Sequence, residues 1–240
     1  MRRTPLKLLI VVTAVAVAAG ACGSDKNSNA GSSGSTGASK SNSTTTAPNT
    51  SAGMSGMKMG TEAPASTLRA TLTAALQEHV YLAGITTGTA LAGQDYKPAA
   101  AALEKNTQAL QDAVSSVYGD AGGKQFGDLW RKHIGFFVDY TTAKATGDAA
   151  KAAKAKSDLD GYRADFGAFI ESATKGGLTK QAVADALKGH VDSLLAAIDA
   201  QAAKDPNATA KLSAAASEMP MTAATLAGAI AKQYPSKFGG

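Results

Sequence analysis

The stretch Phe126-Gly127-Asp128-Leu129-Trp130-Arg131-Lys132-His133-Ile134 decides the fold, because its pattern returns twice in the 240-residue chain. Residues 72–80 (LTAALQEHV) and 183–191 (VADALKGHV) place a histidine in the same slot. Each copy has an apolar residue seven before its histidine (Leu72, Phe126, Val183) and another three before it (Leu76, Trp130, Leu187). A branched residue follows directly (Val80, Ile134, Val191), and Ala83, Phe137 and Leu194 stand four residues on. This spacing is the stripe of an amphipathic helix. His79, His133 and His190 are all the histidines in the protein.

An acidic helix-start candidate follows each histidine-bearing helix, at Asp95, Asp148 and Asp205. Working outward, the spacing predicts helices at 66–92, 96–118, 123–146, 149–173, 179–203 and 206–233. Asp95 with Pro98, Asp148, Thr179 and Asp205-Pro206 mark the starts, and Gly93, Gly119, Gly147 and Gly176-Gly177 mark the stops. Gly122-Gly123-Lys124 reads as a helix-joining turn, not a phosphate loop. Nothing alternates with the period of a strand, so the fold class is all-α. Six helices, paired as three repeated hairpins, must pack together, since no hairpin can bury its stripe alone. Trp130, Phe136, Phe137, Tyr140, Tyr162, Phe166 and Phe169 all fall in the middle hairpin, which should hold the centre of the core. Tyr81 and Tyr118 are expected to pack as well. Lys151, Lys154 and Lys156 read as a solvated face.

The domain occupies 66–240, and the texture before it is different. Arg2, Arg3 and Lys7 precede an apolar run at residues 8–18, too short to span a bilayer comfortably. Ala19-Gly20-Ala21-Cys22 then gives way to Gly, Ser, Asp and Asn. This is the pattern of a bacterial lipoprotein signal over 1–21, with the one cysteine as the acylated residue, palmitate among its acyl chains. A plain secretory peptide would need no cysteine at the cut, and an uncleaved anchor would need about 20 apolar residues. The expected location is the extracytoplasmic face of the cell membrane, held by several acyl chains.

Residues 22–65 form a Gly/Ser/Thr/Asn/Met-rich tether with no aromatic residue and no apolar periodicity, as expected of a disordered linker. A flexible coil of that length spans about 35 Å root-mean-square. Loss of Arg2, Arg3 and Lys7 lowers the formal net charge from +5 to +2. No basic stripe remains for nucleic acid, and with Cys22 acylated no disulfide staples the fold.

The segment Leu129-Trp130-Arg131-Lys132-His133-Ile134-Gly135-Phe136-Phe137-Val138-Asp139-Tyr140, with its flanking hairpins, resembles a group of uncharacterised exported or lipid-anchored helical proteins of actinobacterial type. The resemblance covers about 66–238 and implies fold and location. It implies no activity.

Two side-chain sets could carry chemistry. The three histidines are either core residues copied with the repeat, each satisfied by a carbonyl or water, or convergent imidazole ligands for zinc or copper. The methionines other than Met1 fall at Met54, Met57 and Met59 in the tether and at Met219 and Met221 around Pro220. Thioethers select Cu(I). Equally, the tether methionines read as drift in a low-complexity segment, and the later pair as packing against a proline kink. No acidic residue stands three before any histidine, and H-E-x-x-H, G-x-S-x-G and a free thiol nucleophile are missing. The expectation is therefore a membrane-anchored binding protein and not an enzyme, handling a metal such as copper or zinc. The alternative is a non-catalytic scaffold for another envelope protein.

Overall fold

The computed structural model describes residues 60–238, and the signal segment 1–21, Cys22, Met54, Met57 and Met59 lie outside them. A 3-10 turn at Gly60–Glu62 leads into α1, Pro64–Leu91. This helix begins two residues ahead of expectation, because extended Ala63 hands over to Pro64, whose fixed φ suits a first turn.

The next helix, α2 (Lys97–Thr146), contains one non-helical residue, Gly119, at φ 78° and ψ 171°. Only glycine visits that region without strain. The chain folds back there: Arg131, in the second half, donates to Glu104 Oε1 at 2.7 Å and Gln111 Oε1 at 2.8 Å, both in the first half. Gly122 and Gly123, expected in a turn, belong instead to the second half of the helix. Their smallness serves packing. A Cβ on Gly123 would overlap the Ser115 side chain and press on the Gln111 carbonyl.

Gly147, at φ 71°, closes α2, and Asp148 opens α3 (Ala149–Ala173) by accepting a 3.0 Å bond from the Lys151 amide. Thr179 caps α4 (Lys180–Ala202) through the Ala182 amide at 3.2 Å. The last expected helix is two helices, α5 (Ala208–Ser217) and α6 (Met219–Gln233), broken at Glu218 with Pro220 in the first turn of α6. Proline cannot supply the amide a continuous helix would need there. Asp205 accepts from the Asn207 amide at 2.8 Å, which spends residues 205–207 on a turn and delays α5 to Ala208. A short α7, Pro235–Phe238, ends the described chain.

All regular structure among the described residues is helical, in one bundle. Cross-links set the directions. Gln201 near the end of α4 donates to the Gly84 carbonyl of α1 at 2.8 Å, and Tyr140 of α2 donates to Asp199 of α4 at 2.7 Å. So α1, the second half of α2, and α4 run the same way, with α3 and α5–α6 returning between them. The aromatic core forms where expected: Trp130, Phe137, Tyr140, Tyr162, Phe166 and Phe169 are buried, while Phe136 packs half-buried against them. Each such side chain contributes about 1.5–3 kcal/mol relative to exposure. Tyr81 departs from expectation: it faces outward on α1, one turn from exposed Ile85. No described helix is long and apolar enough to cross a membrane.

Candidate functional site

Parallel running brings the three histidines to one level of the bundle. His79 on α1, His133 on α2 and His190 on α4 are 2%, 3% and 9% exposed. The His79 and His133 ring centroids are 5.4 Å apart, and His190 is close enough to couple electrostatically to both. Trp130 sits against the first two, 4.7 Å from His79 and 4.6 Å from His133, edge-on to the latter. Tyr162 of α3 stacks on His133 at 4.8 Å. Phe126 and Phe166 close the aromatic side behind Trp130.

Burial fixes the protonation state. It lowers the His79 pKa to about 3 and that of His190 to about 4. His133 is also held well below the usual value, first by burial and then by repulsion from the other two imidazoles. All three are neutral near pH 7, the form that binds metal. Burial likewise raises the Tyr162 phenol well above its ordinary range, keeping it protonated.

A neutral imidazole carries one donor and one acceptor, and a buried one normally finds partners for them. Here the buried Nδ1 atoms of His79, His133 and His190 make no hydrogen bond within the protein, nor do Trp130 Nε1 and the Tyr162 hydroxyl. Asn106 on α2 belongs to the same group. Its amide nitrogen is anchored to the Ala75 carbonyl at 2.9 Å and to Glu78 at 2.8 Å, while its Oδ1 is left without a donor. Asn106 pulls the His79 pKa weakly upward, but neither Asn106 Oδ1 nor His79 Nδ1 completes a hydrogen bond. The Trp130 backbone pulls the His133 pKa weakly upward, yet none of the three Nδ1 atoms completes a hydrogen bond to a protein group. Among the described residues no group of three His, Cys, Asp or Glu side chains is placed to hold a metal ion.

The structure thus gathers His79, His133 and His190. It separates Met219 from Met221: Met219 is buried, and Met221 is 77% exposed. Tyr162 and Trp130 read from the sequence only as core, and Asn106 drew no attention. A signal for Asn106 existed, since Leu103, Asn106, Thr107 and Leu110 share a helical stripe and all are buried. A polar amide in a core slot implies a polar neighbour. No protein-family model, no curated protein and no solved structure matches this chain.

Proposed function

We propose that this is a cell-envelope lipoprotein, acylated at Cys22 and held on the extracytoplasmic face of the membrane, whose helical bundle binds a transition-metal ion through His79, His133 and His190. One observation carries the metal reading: the His79 and His133 imidazoles lie 5.4 Å apart in the core, His190 is near enough to repel the charged form of both, and no protein group satisfies their three Nδ1 atoms. Each such atom costs about 1–3 kcal/mol while unpaired, and an ion shared among them would remove that cost. Three imidazoles with an open position suit zinc or copper. Tripled helical hairpins, each bearing its histidine at the same height, account for the convergence. The anchor rests on the Ala19-Gly20-Ala21-Cys22 sequence.

Binding of one ion per chain is tested by titrating the full-length protein in detergent with Co(II), Zn(II) and Cu(I), alongside His133→Gln. The expected result is binding tighter than about micromolar that His133→Gln abolishes, with a melting temperature that rises on loading. Binding that ignores the substitution, or no binding at that level, overturns the reading. A scaffold role finds its support in exposed Tyr81 and Ile85, four residues apart on one face of α1. Retention of an envelope protein by the wild type and its loss on Tyr81→Ser/Ile85→Ser would favour that second reading.

A further inference from the structure

The end of the bundle that receives the tether carries a basic groove. Gly60–Glu62 and the start of α1 lie at this end. The first half of α2 returns beside α1, with Asn106 bonded to the Ala75 carbonyl, so its last turn before Gly119 comes level with the start of α1. Gln233 at the end of α6 accepts from the Tyr118 hydroxyl at 3.2 Å and donates to the Ala173 carbonyl at 3.0 Å, which brings the close of α3 to the same place. Lys237 of α7 donates to the Ser116 carbonyl at 2.7 Å. Between the α3–α4 loop and α6 lies a groove of about 630 Å³, lined by Lys175, Gly177 and Leu178 on one side and by Ala224, Gly228 and Lys232 on the other. A Cβ added to Gly228 would meet nothing within 4 Å, so the α6 wall is open backbone. Among the described residues no carboxylate lines the groove. Elsewhere exposed lysines answer an aspartate one helical turn away, as Lys124, Lys154 and Lys188 do. Among the described residues Lys175, Lys232 and Lys237 enter no ion pair. The acids of this end stand off the groove: Glu171 accepts from the Lys180 amide at 3.0 Å, and Asp120 follows Gly119 on α2.

Resting on the lipid-anchor reading, we propose that this end docks on an anionic phospholipid surface, with a headgroup phosphate seated in the groove between Lys175 and Lys232. Charge complementarity selects the partner. Ammonium groups without a carboxylate are drawn to a net-negative leaflet and gain little from a zwitterionic one. Cys22 is joined to this same end by residues 23–59, so the acylated cysteine and the lysines act on one surface. The anchor makes docking intramolecular, at an effective concentration on the order of millimolar, and weak headgroup contacts then suffice. Each lysine brought to an anionic surface is worth about fivefold in binding. Docking turns the opposite end, with the α1–α2 and α4–α5 turns, away from the membrane.

The test reconstitutes the full-length chain into vesicles of phosphatidylcholine alone and of phosphatidylcholine with phosphatidylglycerol in equal parts. Peptide mass spectrometry then reads the rate at which each lysine reacts with a water-soluble amine reagent. Lys175, Lys232 and Lys237 should react about fivefold or more slowly on the anionic vesicles, while Lys97 and Lys204 at the opposite end keep their rates. NaCl at about 1 M, where the screening length is about 3 Å, should erase the difference. Lys175→Glu/Lys232→Glu should return Lys237 to its rate on neutral vesicles. Lys97→Glu/Lys204→Glu, with the same change in net charge, should leave the slowing in place, and circular dichroism melting checks both folds. Equal rates on the two vesicles, equal slowing at both ends, or slowing by inorganic phosphate without vesicles overturns the docking, the last by assigning the groove to a soluble anion. The same spectra report the acyl mass on the Cys22 peptide. Its absence overturns the anchor reading, whereas acylated protein with unslowed lysines overturns the docking alone.

Discussion

Two polar levels are built from the same three helices, α1, α2 and α4, and they solve the same problem in opposite ways. About two turns beyond the histidines, Tyr140 donates to Asp199 at 2.7 Å, Lys144 pairs with Asp199 at 2.9 Å, and Gln201 both donates to the Gly84 carbonyl and accepts from Thr87 at 2.9 Å. Lys156 covers the Tyr140 ring at 5.3 Å. Every group there has found a partner. At the histidine level the same backbones leave Nδ1 of His79, His133 and His190 unpaired. The bundle can satisfy buried polar groups, so its failure to do so at the histidines is local and points to a partner from outside the protein.

The largest expected effect separates the two levels by pH. The folded pKa of His79 and His190 lies near 3 and 4, against about 6.5 unfolded, and His133 moves the same way. Below about 6.5 the unfolded chain takes up protons that the folded chain refuses, so stability falls as pH drops through that window. Each histidine costs about 1.4 kcal/mol per pH unit, and the three together about 4. Asp199 behaves differently. Burial pushes its pKa up, but Lys144 and Tyr140 outweigh this and hold it below the ordinary carboxylate value, so its contribution is lost only in stronger acid. Metal-free protein followed by circular dichroism should lose most of its stability between pH 6 and pH 4, and stability that stayed flat across that interval would erase the contrast.

A smaller effect is expected at the satisfied level. Tyr140→Phe removes one hydrogen bond but leaves Asp199 its lysine, so chemical denaturation should show a loss of about 1 kcal/mol. A near-zero effect belongs to the unsatisfied level. His133→Phe removes an unpaired polar atom from an aromatic surrounding, and metal-free stability at pH 7 should change by less than about 1 kcal/mol or rise. The same variant should lose about a third of the acid sensitivity. A cost of several kcal/mol would mean that His133 is satisfied after all, and the two levels would then be alike.

The outline of the bundle was legible because its signals are local. Asp148 and Thr179 cap α3 and α4 where their side chains can reach amides three residues on, and Gly119 and Gly147 stop or bend the chain where a left-handed residue is required. Pro220 announced the break that divides α5 from α6. Where local signals misled, a neighbouring helix had the deciding effect. Gly122-Gly123 looks like a turn in isolation, yet its glycines are there because the first half of α2 lies against them. Tyr81 sits at an apolar spacing, but the face it occupies on α1 is one that no other helix covers.

Sequence alone determined that the domain from residue 66 is helical, where all but the last of its expected helices begin and end within a few residues, and that His79, His133 and His190 each lie on a buried stripe. Those properties depend on residues within a turn or two of each other, so they are written in the spacing. Only the tertiary structure decided that the three stripes meet at one height, that Trp130, Tyr162 and Asn106 join the histidines, and that Met219 turns inward while Met221 turns out. The reason is geometric: the relative height of packed helices follows from how loops and close glycine contacts set each pair in register. A rotation of one helix, invisible to spacing, determines which polar atoms end without a partner.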